Sequence, residues 1–155
     1  MYRTFWWLCY TLAGVWLQEF VPGVDFLAPG LVLALQEERW GPIVWLVLAW
    51  IIVQEGLGGL AFGFGPAWYG GLILFYQVGR WLFDQKSFLF VCLTGLVMGA
   101  WLVGLTLALA GLEDIRLFME PLLFRAGLQA AVIPMVWWVA GSCYPERLKI
   151  HERPA

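Results

Sequence analysis

The 155-residue sequence contains little of what enzymes use for catalysis. It has no asparagine, only two serines (Ser87 and Ser142) and one histidine (His151), which lies in the C-terminal tail. A serine nucleophile needs a histidine within hydrogen-bonding distance, and zinc or haem ligation by imidazole needs histidines inside the fold. A glycine-rich phosphate-binding loop with a lysine is also missing. We therefore expect no catalytic residue, no metal site and no cofactor.

Charged residues are also scarce, at 13% of the chain, whereas a soluble domain has about 25%. The net charge of -2 lacks the basic excess of a nucleic-acid-binding protein. Hydrophobic residues make up 62%, and the mean hydropathy is +0.78. A soluble domain of this size leaves roughly a third of its unfolded surface exposed and could not hide so many apolar side chains. The sequence thus predicts one integral membrane domain over residues 1–155.

The apolar runs predict an all-α, polytopic membrane protein. A membrane-spanning helix needs about 20 mainly apolar residues. By this criterion we expect six spans, of which the second is short and interrupted at Pro29-Gly30, followed by a short cytoplasmic tail at about 145–155. The predicted spans are 5–21, 24–36, 43–63, 66–83, 88–112 and 121–144.

Basic residues predict the orientation, because Lys and Arg concentrate on the cytoplasmic side of a membrane protein. With six spans and a cytoplasmic N-terminus, seven basic residues fall inside and two outside: Arg3, Arg39, Arg80, Lys86, Arg147, Lys149 and Arg153 against Arg116 and Arg125. A five-span alternative, with a re-entrant second segment and an external N-terminus, moves only Arg3 to the other side. We prefer six spans with both termini cytoplasmic, because Arg3 and the terminal amine both favour that side.

Polar residues inside the predicted spans are candidates for a binding site, since ionisable groups are costly in a membrane. Gln54 and Glu55 interrupt the third span and precede a glycine-rich stretch that includes Gly58 and Gly63. One interpretation is a helix break that lines a polar cavity or a partner-binding groove. The other is that the helix ends near Val53 and that Glu55 lies in a hydrated outer loop. In both cases the glycines permit close backbone approach or a positive φ angle.

Two further pairs lie on the last two spans. Arg125 and Gln129 share a face of the sixth span, near the outer headgroups, where they are candidates for binding an anionic ligand or partner. The alternative for Arg125 is a simple headgroup contact. Gly95 and Gly99 of the fifth span form a small-xxx-small motif, which permits close helix packing. We expect packing within the chain rather than homodimerisation.

The short second span with Ala28-Pro29-Gly30-Leu31, and the acidic, glycine-rich segment from Gln54 to Gly63, resemble the bacterial rod shape-determining protein MreD family. In that family the second-span motif is typically Pro-Asp and the acid that ends the third span is typically Asp. Here Gly30 replaces the first acid and Glu55 stands for the second.

The resemblance implies a non-catalytic scaffold of the cell-elongation complex, which directs rod shape and peptidoglycan synthesis in the bacterial inner membrane. Its expected partners are membrane lipid, an MreC-like protein, an MreB-like protein, and a RodA-type glycosyltransferase with its transpeptidase.

The MreD fold is in turn similar to the S component of energy-coupling-factor transporters. That similarity implies an alternative function, a small-molecule (vitamin) binding membrane subunit. Such a binder needs convergent polar side chains around an outward-facing pocket. The sequence offers mainly Glu19, Glu55, and Arg125 with Gln129. A structural membrane protein of another kind is the third alternative.

Overall fold

The computed structural model describes residues 2–37, 40–58, 63–113 and 118–144. Within these ranges the chain is all-helical, as predicted, and contains no β-strand. The helices are α1 (Tyr2–Phe20), α2 (Ala28–Gln36), α3 (Trp40–Gly58), α4 (Phe64–Gly79), α5 (Phe88–Glu113) and α6 (Met119–Cys143). The predicted tail at 145–155, Arg39, Arg116 and residues 59–62 of the glycine-rich segment lie outside the described residues.

Two of the described helices are long and apolar enough to cross a membrane, namely α5 over Phe88–Leu112 and α6 over Met119–Cys143. Both agree with the predicted fifth and sixth spans to within two residues. A shorter apolar stretch covers Trp40–Gly56 of α3. The fourth predicted span was too long at its end, because the chain leaves the helix after Gly79 and turns, with the Leu82 N–H donating to the Gly79 carbonyl.

The predicted break at Pro29-Gly30 is wrong, because both residues lie within the second helix. Pro29 lies in the first turn of α2, where a missing N–H removes no intrahelical hydrogen bond. The irregular segment is instead residues 21–27, which connects α1 to α2. Gly30 is a close-packing position, since a Cβ atom there would lie 2.2 Å from Tyr10 Cε1. The glycine thus allows the Tyr10 ring of α1 to lie directly against α2.

α2 is the most enclosed helix of the bundle. It is nine residues long, and its buried residues are Ala28, Pro29, Gly30, Leu31, Val32, Ala34 and Leu35. Aromatic side chains of the neighbouring helices fill the surrounding core, with Trp50, Trp68, Tyr69 and Tyr76 at most 1% exposed. A buried indole needs a hydrogen-bond acceptor for its N–H. The Trp50 Nε1–H donates to Thr11 Oγ1 at 2.9 Å and so joins α3 to α1.

Polar contacts place the start of α1 and the end of α6 at the same end of the bundle, here called the terminal end. Arg3, near the start of α1, forms an ion pair with Glu37, which follows α2. The other carboxylate oxygen of Glu37 accepts a hydrogen bond from Tyr144, which follows α6. Gln36 Nε2 donates to the carbonyl of Gln85, just before α5, at 2.6 Å. The starts of α1 and α5 therefore meet the ends of α2 and α6.

α5 and α6 pack closely through the predicted glycine pair. A Cβ atom on Gly95 would lie 2.5 Å from the Ala130 carbonyl oxygen, and one on Gly99 would lie 2.7 Å from the Ala126 carbonyl oxygen. These contacts are with the backbone of α6, so no rotamer change could relieve them. The structure thus places Gly95 and Gly99 inside the chain's own helix pair.

Candidate functional site

α3 continues through Gln54 and Glu55 to Gly58. The interpretation in which this helix ends near Val53 and Glu55 lies in a hydrated loop is therefore wrong. Glu55 is half-buried, and its Oε1 accepts the backbone N–H of Gly63 at 3.1 Å. Gly63 precedes α4 with a φ of 93°, which favours glycine. Glu55 thus fixes the start of α4 through a backbone hydrogen bond.

A cavity of about 520 Å³ opens at the end of the bundle opposite the terminal end. Its walls come from the C-terminal halves of α1, α3 and α5, the N-terminal halves of α4 and α6, and the connection at 21–27. The polar lining residues are Gln18, Glu19, Asp25, Gln54, Trp68, Thr106, Arg125 and Gln129. Helices that alternate in direction therefore bring polar side chains from distant parts of the sequence to one site.

Asp25 is the centre of this polar lining. Its Oδ1 accepts Gln18 Nε2 at 2.9 Å, Gln54 Nε2 at 3.0 Å and the backbone N–H of Leu27 at 2.8 Å. Its Oδ2 accepts Trp68 Nε1 at 2.7 Å. A carboxylate can accept about four hydrogen bonds, and all four donors here are N–H groups. These hydrogen bonds link α1, α3 and α4 to the α1–α2 connection.

Gln129 holds the backbone of the same residue. Its Oε1 accepts the Asp25 backbone N–H at 2.7 Å, and its Nε2 donates to the Asp25 carbonyl at 3.1 Å. The side chain is only 1% exposed. Backbone N–H and C=O groups that are enclosed within a protein need hydrogen-bond partners there. Gln129 supplies both, so its polar atoms serve the fold and are not available to a ligand.

Arg125 and Glu19 are the charged cavity residues whose side chains remain free to contact a ligand. Both are exposed, and within the described residues neither forms an ion pair. Arg125 lies against Gly23, whose φ is 86°: a Cβ atom there would be 3.1 Å from both Cδ and Nε of the arginine. The aliphatic part of the Arg125 side chain thus packs against the Gly23 backbone at the cavity wall. The site can offer a ligand a guanidinium, a carboxylate and apolar walls.

Three of the predicted binding residues meet at this cavity: Gln54, Arg125 and Gln129. Glu55 and Gly63 instead contact each other, and Gly58 is the last residue of α3. Groups of His, Cys, Asp and Glu that could hold a metal ion do not occur in the described part of the chain.

Sequence reasoning missed Asp25, together with Gln18 and Trp68. Asp25 lies inside the predicted span 24–36, so the cost of an ionisable group in a membrane was the signal that could have found it. Comparison of the chain with protein-family models, curated proteins and solved structures finds no match.

Proposed function

We propose that the six helices form a multi-pass membrane protein with both termini in the cytoplasm. Support comes from the alternating helix directions, which bring the start of α1 and the end of α6 to the same end. α2 extends about 13 Å at about 1.5 Å per residue, so it needs the connection at 21–27 to complete a crossing. That irregular connection is compatible with a membrane because it lines a cavity and its Asp25 backbone groups are paired.

We propose that the protein binds a small solute in the cavity, as a substrate-capturing subunit of the energy-coupling-factor type. The observation that carries this proposal is the convergence of polar side chains from five helices and one connection on a space of about 520 Å³. Small-molecule sites commonly have about 300–1,000 Å³, mostly apolar walls and a few placed polar groups. With cytoplasmic termini, the cavity opens to the outside, where such a subunit collects its substrate.

The Asp25 network supports a preformed site. It ties four structural segments together by four hydrogen bonds of 2.7–3.0 Å, and Gln129 adds α6. A binding site that is already ordered loses less conformational entropy when a ligand enters. In this proposal Asp25 shapes the cavity, and the ligand contacts fall to residues whose polar groups remain unused.

A thermal-shift screen of vitamins and their precursors on the purified protein tests the function. A ligand that binds only the folded state raises stability by about 2.7 kcal/mol at a hundred times its Kd. Leu102 of α5 lines the cavity, whereas Leu107 of the same helix is 43% exposed and does not. We expect Leu102→Trp to fill the cavity and abolish the stabilisation, and Leu107→Trp to retain it. Stabilisation that survives Leu102→Trp would place the binding site elsewhere.

A second candidate function is the elongation-complex scaffold implied by the MreD resemblance. The observation that favours it is the Glu55–Gly63 hydrogen bond, because the acid of the glycine-rich segment then acts on chain shape. Glu55 is also absent from the cavity lining. Affinity purification in mild detergent separates the two candidates. An MreC-like protein and a RodA-type enzyme would co-purify with a scaffold, and a pair of transporter ATPases with a solute-binding subunit.

A further inference from the structure

Arg125 is the basic residue of the cavity, and no described group neutralises it. It lines the space, is exposed, and makes no ion pair in the described part of the chain. Neither acid of the cavity pairs with Arg125. Asp25 accepts hydrogen bonds from four N–H groups, and Glu19 lies beyond ion-pair distance of Arg125. A positive charge therefore lines the cavity, and its N–H donors form no hydrogen bond within the described residues.

Arg125 lies against the backbone of the α1–α2 connection at Gly23. Its Cδ and Nε lie 3.1 Å, and its Cζ 3.2 Å, from where a Cβ atom of Gly23 would be. Gly23, which has no side chain, leaves the space in which the Arg125 side chain lies this close to the backbone. The planar fork of a guanidinium suits bidentate pairing with a carboxylate or phosphate.

We infer that the solute bound in this cavity is a small monovalent organic carboxylate, whose carboxylate pairs with Arg125. The inference rests on the proposed solute-binding function. Apolar walls from Phe64, Leu102 and Leu122 would take the body of the molecule. Glu19 and Asp25 lie in the same cavity, so a group with two negative charges meets more repulsion than a carboxylate.

Matched pairs of acid and amide test the inference on the full-length protein in detergent. The probes are nicotinate with nicotinamide and biotin with biotinamide, and binding is measured by melting temperature against probe concentration. We expect an acid to bind more tightly than its own amide. Hydrogen bonds to charged groups contribute about 1.5–3 kcal/mol, so Arg125→Gln weakens binding of the acid by about 10- to 100-fold. Arg125→Lys, which keeps the charge without the fork, retains an intermediate affinity.

Lys86→Gln is the matched control, because it removes an exposed positive charge at the terminal end, far from the cavity. We expect it to leave both affinities within about twofold of the wild type, below the tenfold step that corresponds to about 1.4 kcal/mol. Since Arg125 is exposed and unpaired, Arg125→Gln should melt at the wild-type temperature without ligand. That result separates a loss of binding from a loss of folding.

The opposite outcomes are distinguishable. An acid and its amide that bind equally well, both unaffected by Arg125→Gln, would overturn the carboxylate inference and leave the solute-binding function standing. If neither pair binds and the vitamin screen yields only ligands without a carboxylate, the carboxylate inference is wrong and the solute-binding function stands. If the screen yields no ligand at all, the solute-binding function fails as well. A third arm uses nanodiscs of phosphatidylcholine with or without phosphatidylglycerol. If Arg125→Gln matters only with phosphatidylglycerol, and the free acids do not bind, then Arg125 contacts a lipid headgroup and the inference is wrong.

Discussion

At the scale of single residues, Asp25 is a half-buried acid that stabilises the fold although it lines a cavity. Each of its oxygens accepts N–H donors, three on Oδ1 and one on Oδ2. An ionised carboxylate is costly to desolvate unless such donors surround it. The donors come from α1, α3, α4 and the backbone just before α2. The hydrogen bonds that offset the desolvation cost therefore also join elements that are far apart in sequence.

We predict that Asp25→Asn destabilises the protein by about 2 kcal/mol, because hydrogen bonds to charged groups contribute about 1.5–3 kcal/mol. The asparagine keeps the size of the side chain, but its NH₂ group would face N–H donors where an oxygen now accepts them. The measurement is the melting temperature in detergent. Glu19→Gln is the control, since Glu19 is exposed and unpaired in the same cavity. Equal melting of Asp25→Asn and Glu19→Gln would show that the network does not stabilise the fold.

The sequence allowed prediction of some residues of the site but not of their roles. Gln54, Arg125 and Gln129 were identifiable because polar groups in apolar helices are conspicuous. Their roles depend on partners that are distant in sequence: Gln129 pairs with the backbone of Asp25, 104 positions away. Helical periodicity reports which residues share a face, but not which loop that face meets. For Glu55 the sequence left open a cavity, a partner-binding groove or a loop, and it did not identify the backbone N–H of Gly63 that Glu55 Oε1 accepts.

At the scale of helices, α5 and α6 pack closely because backbone carbonyl groups of α6 lie directly against glycines of α5. The Ala130 oxygen lies 2.5 Å from the Cβ position of Gly95, and the Ala126 oxygen lies 2.7 Å from that of Gly99. Between helices in a membrane, such close approach supplies packing contacts that lipid cannot replace. Pro134, within α6, also faces this seam, with its Cδ 3.3 Å from the Gly95 position.

We predict that Gly99→Leu destabilises the protein by about 1–3 kcal/mol, the usual cost of forcing extra atoms into a packed interface. Gly104→Leu is the matched control on the same helix, because a Cβ atom at Gly104 has nothing within 4 Å. Melting temperature and the yield of folded protein in detergent are the measurements. If both variants melt alike, the seam between α5 and α6 is looser than these distances indicate.

The lengths of α5 and α6 followed from the sequence because predominantly apolar runs of this length are a strong signal for a helix, although Arg125 and Gln129 interrupt the run in α6. The start of α2 was mistaken because a proline was interpreted as a break, whereas in the first turn of a helix it is favoured. The end of α4 was placed too late, since the apolar residues Trp81, Leu82 and Phe83 continue the pattern in a turn outside the helix. Hydropathy measures only how apolar a segment is, so it cannot distinguish a hydrophobic turn from the end of a hydrophobic helix.

At the scale of the whole molecule, the two ends of the bundle have different chemistry. The terminal end contains the Arg3–Glu37 ion pair and the Tyr144 hydrogen bond to the same carboxylate. The opposite end contains the cavity with Arg125 and Glu19. Because the helices alternate in direction, an even number of crossings would follow from six helices. In the proposed multi-pass arrangement, the basic residues predict which end faces the cytoplasm.

We predict that the cavity end faces outward and the terminal end faces the cytoplasm. Single cysteines test this in a variant whose native Cys9, Cys92 and Cys143 are replaced by alanine. Glu19→Cys, at the cavity, should react with a membrane-impermeant maleimide on intact cells. Lys86→Cys, exposed at the terminal end, should react only after permeabilisation. Reporter fusions at Met1 and Ala155 should both report the cytoplasm. An external N-terminus with a cytoplasmic C-terminus would instead require an odd number of crossings, and α2, the shortest helix, would then be the re-entrant segment.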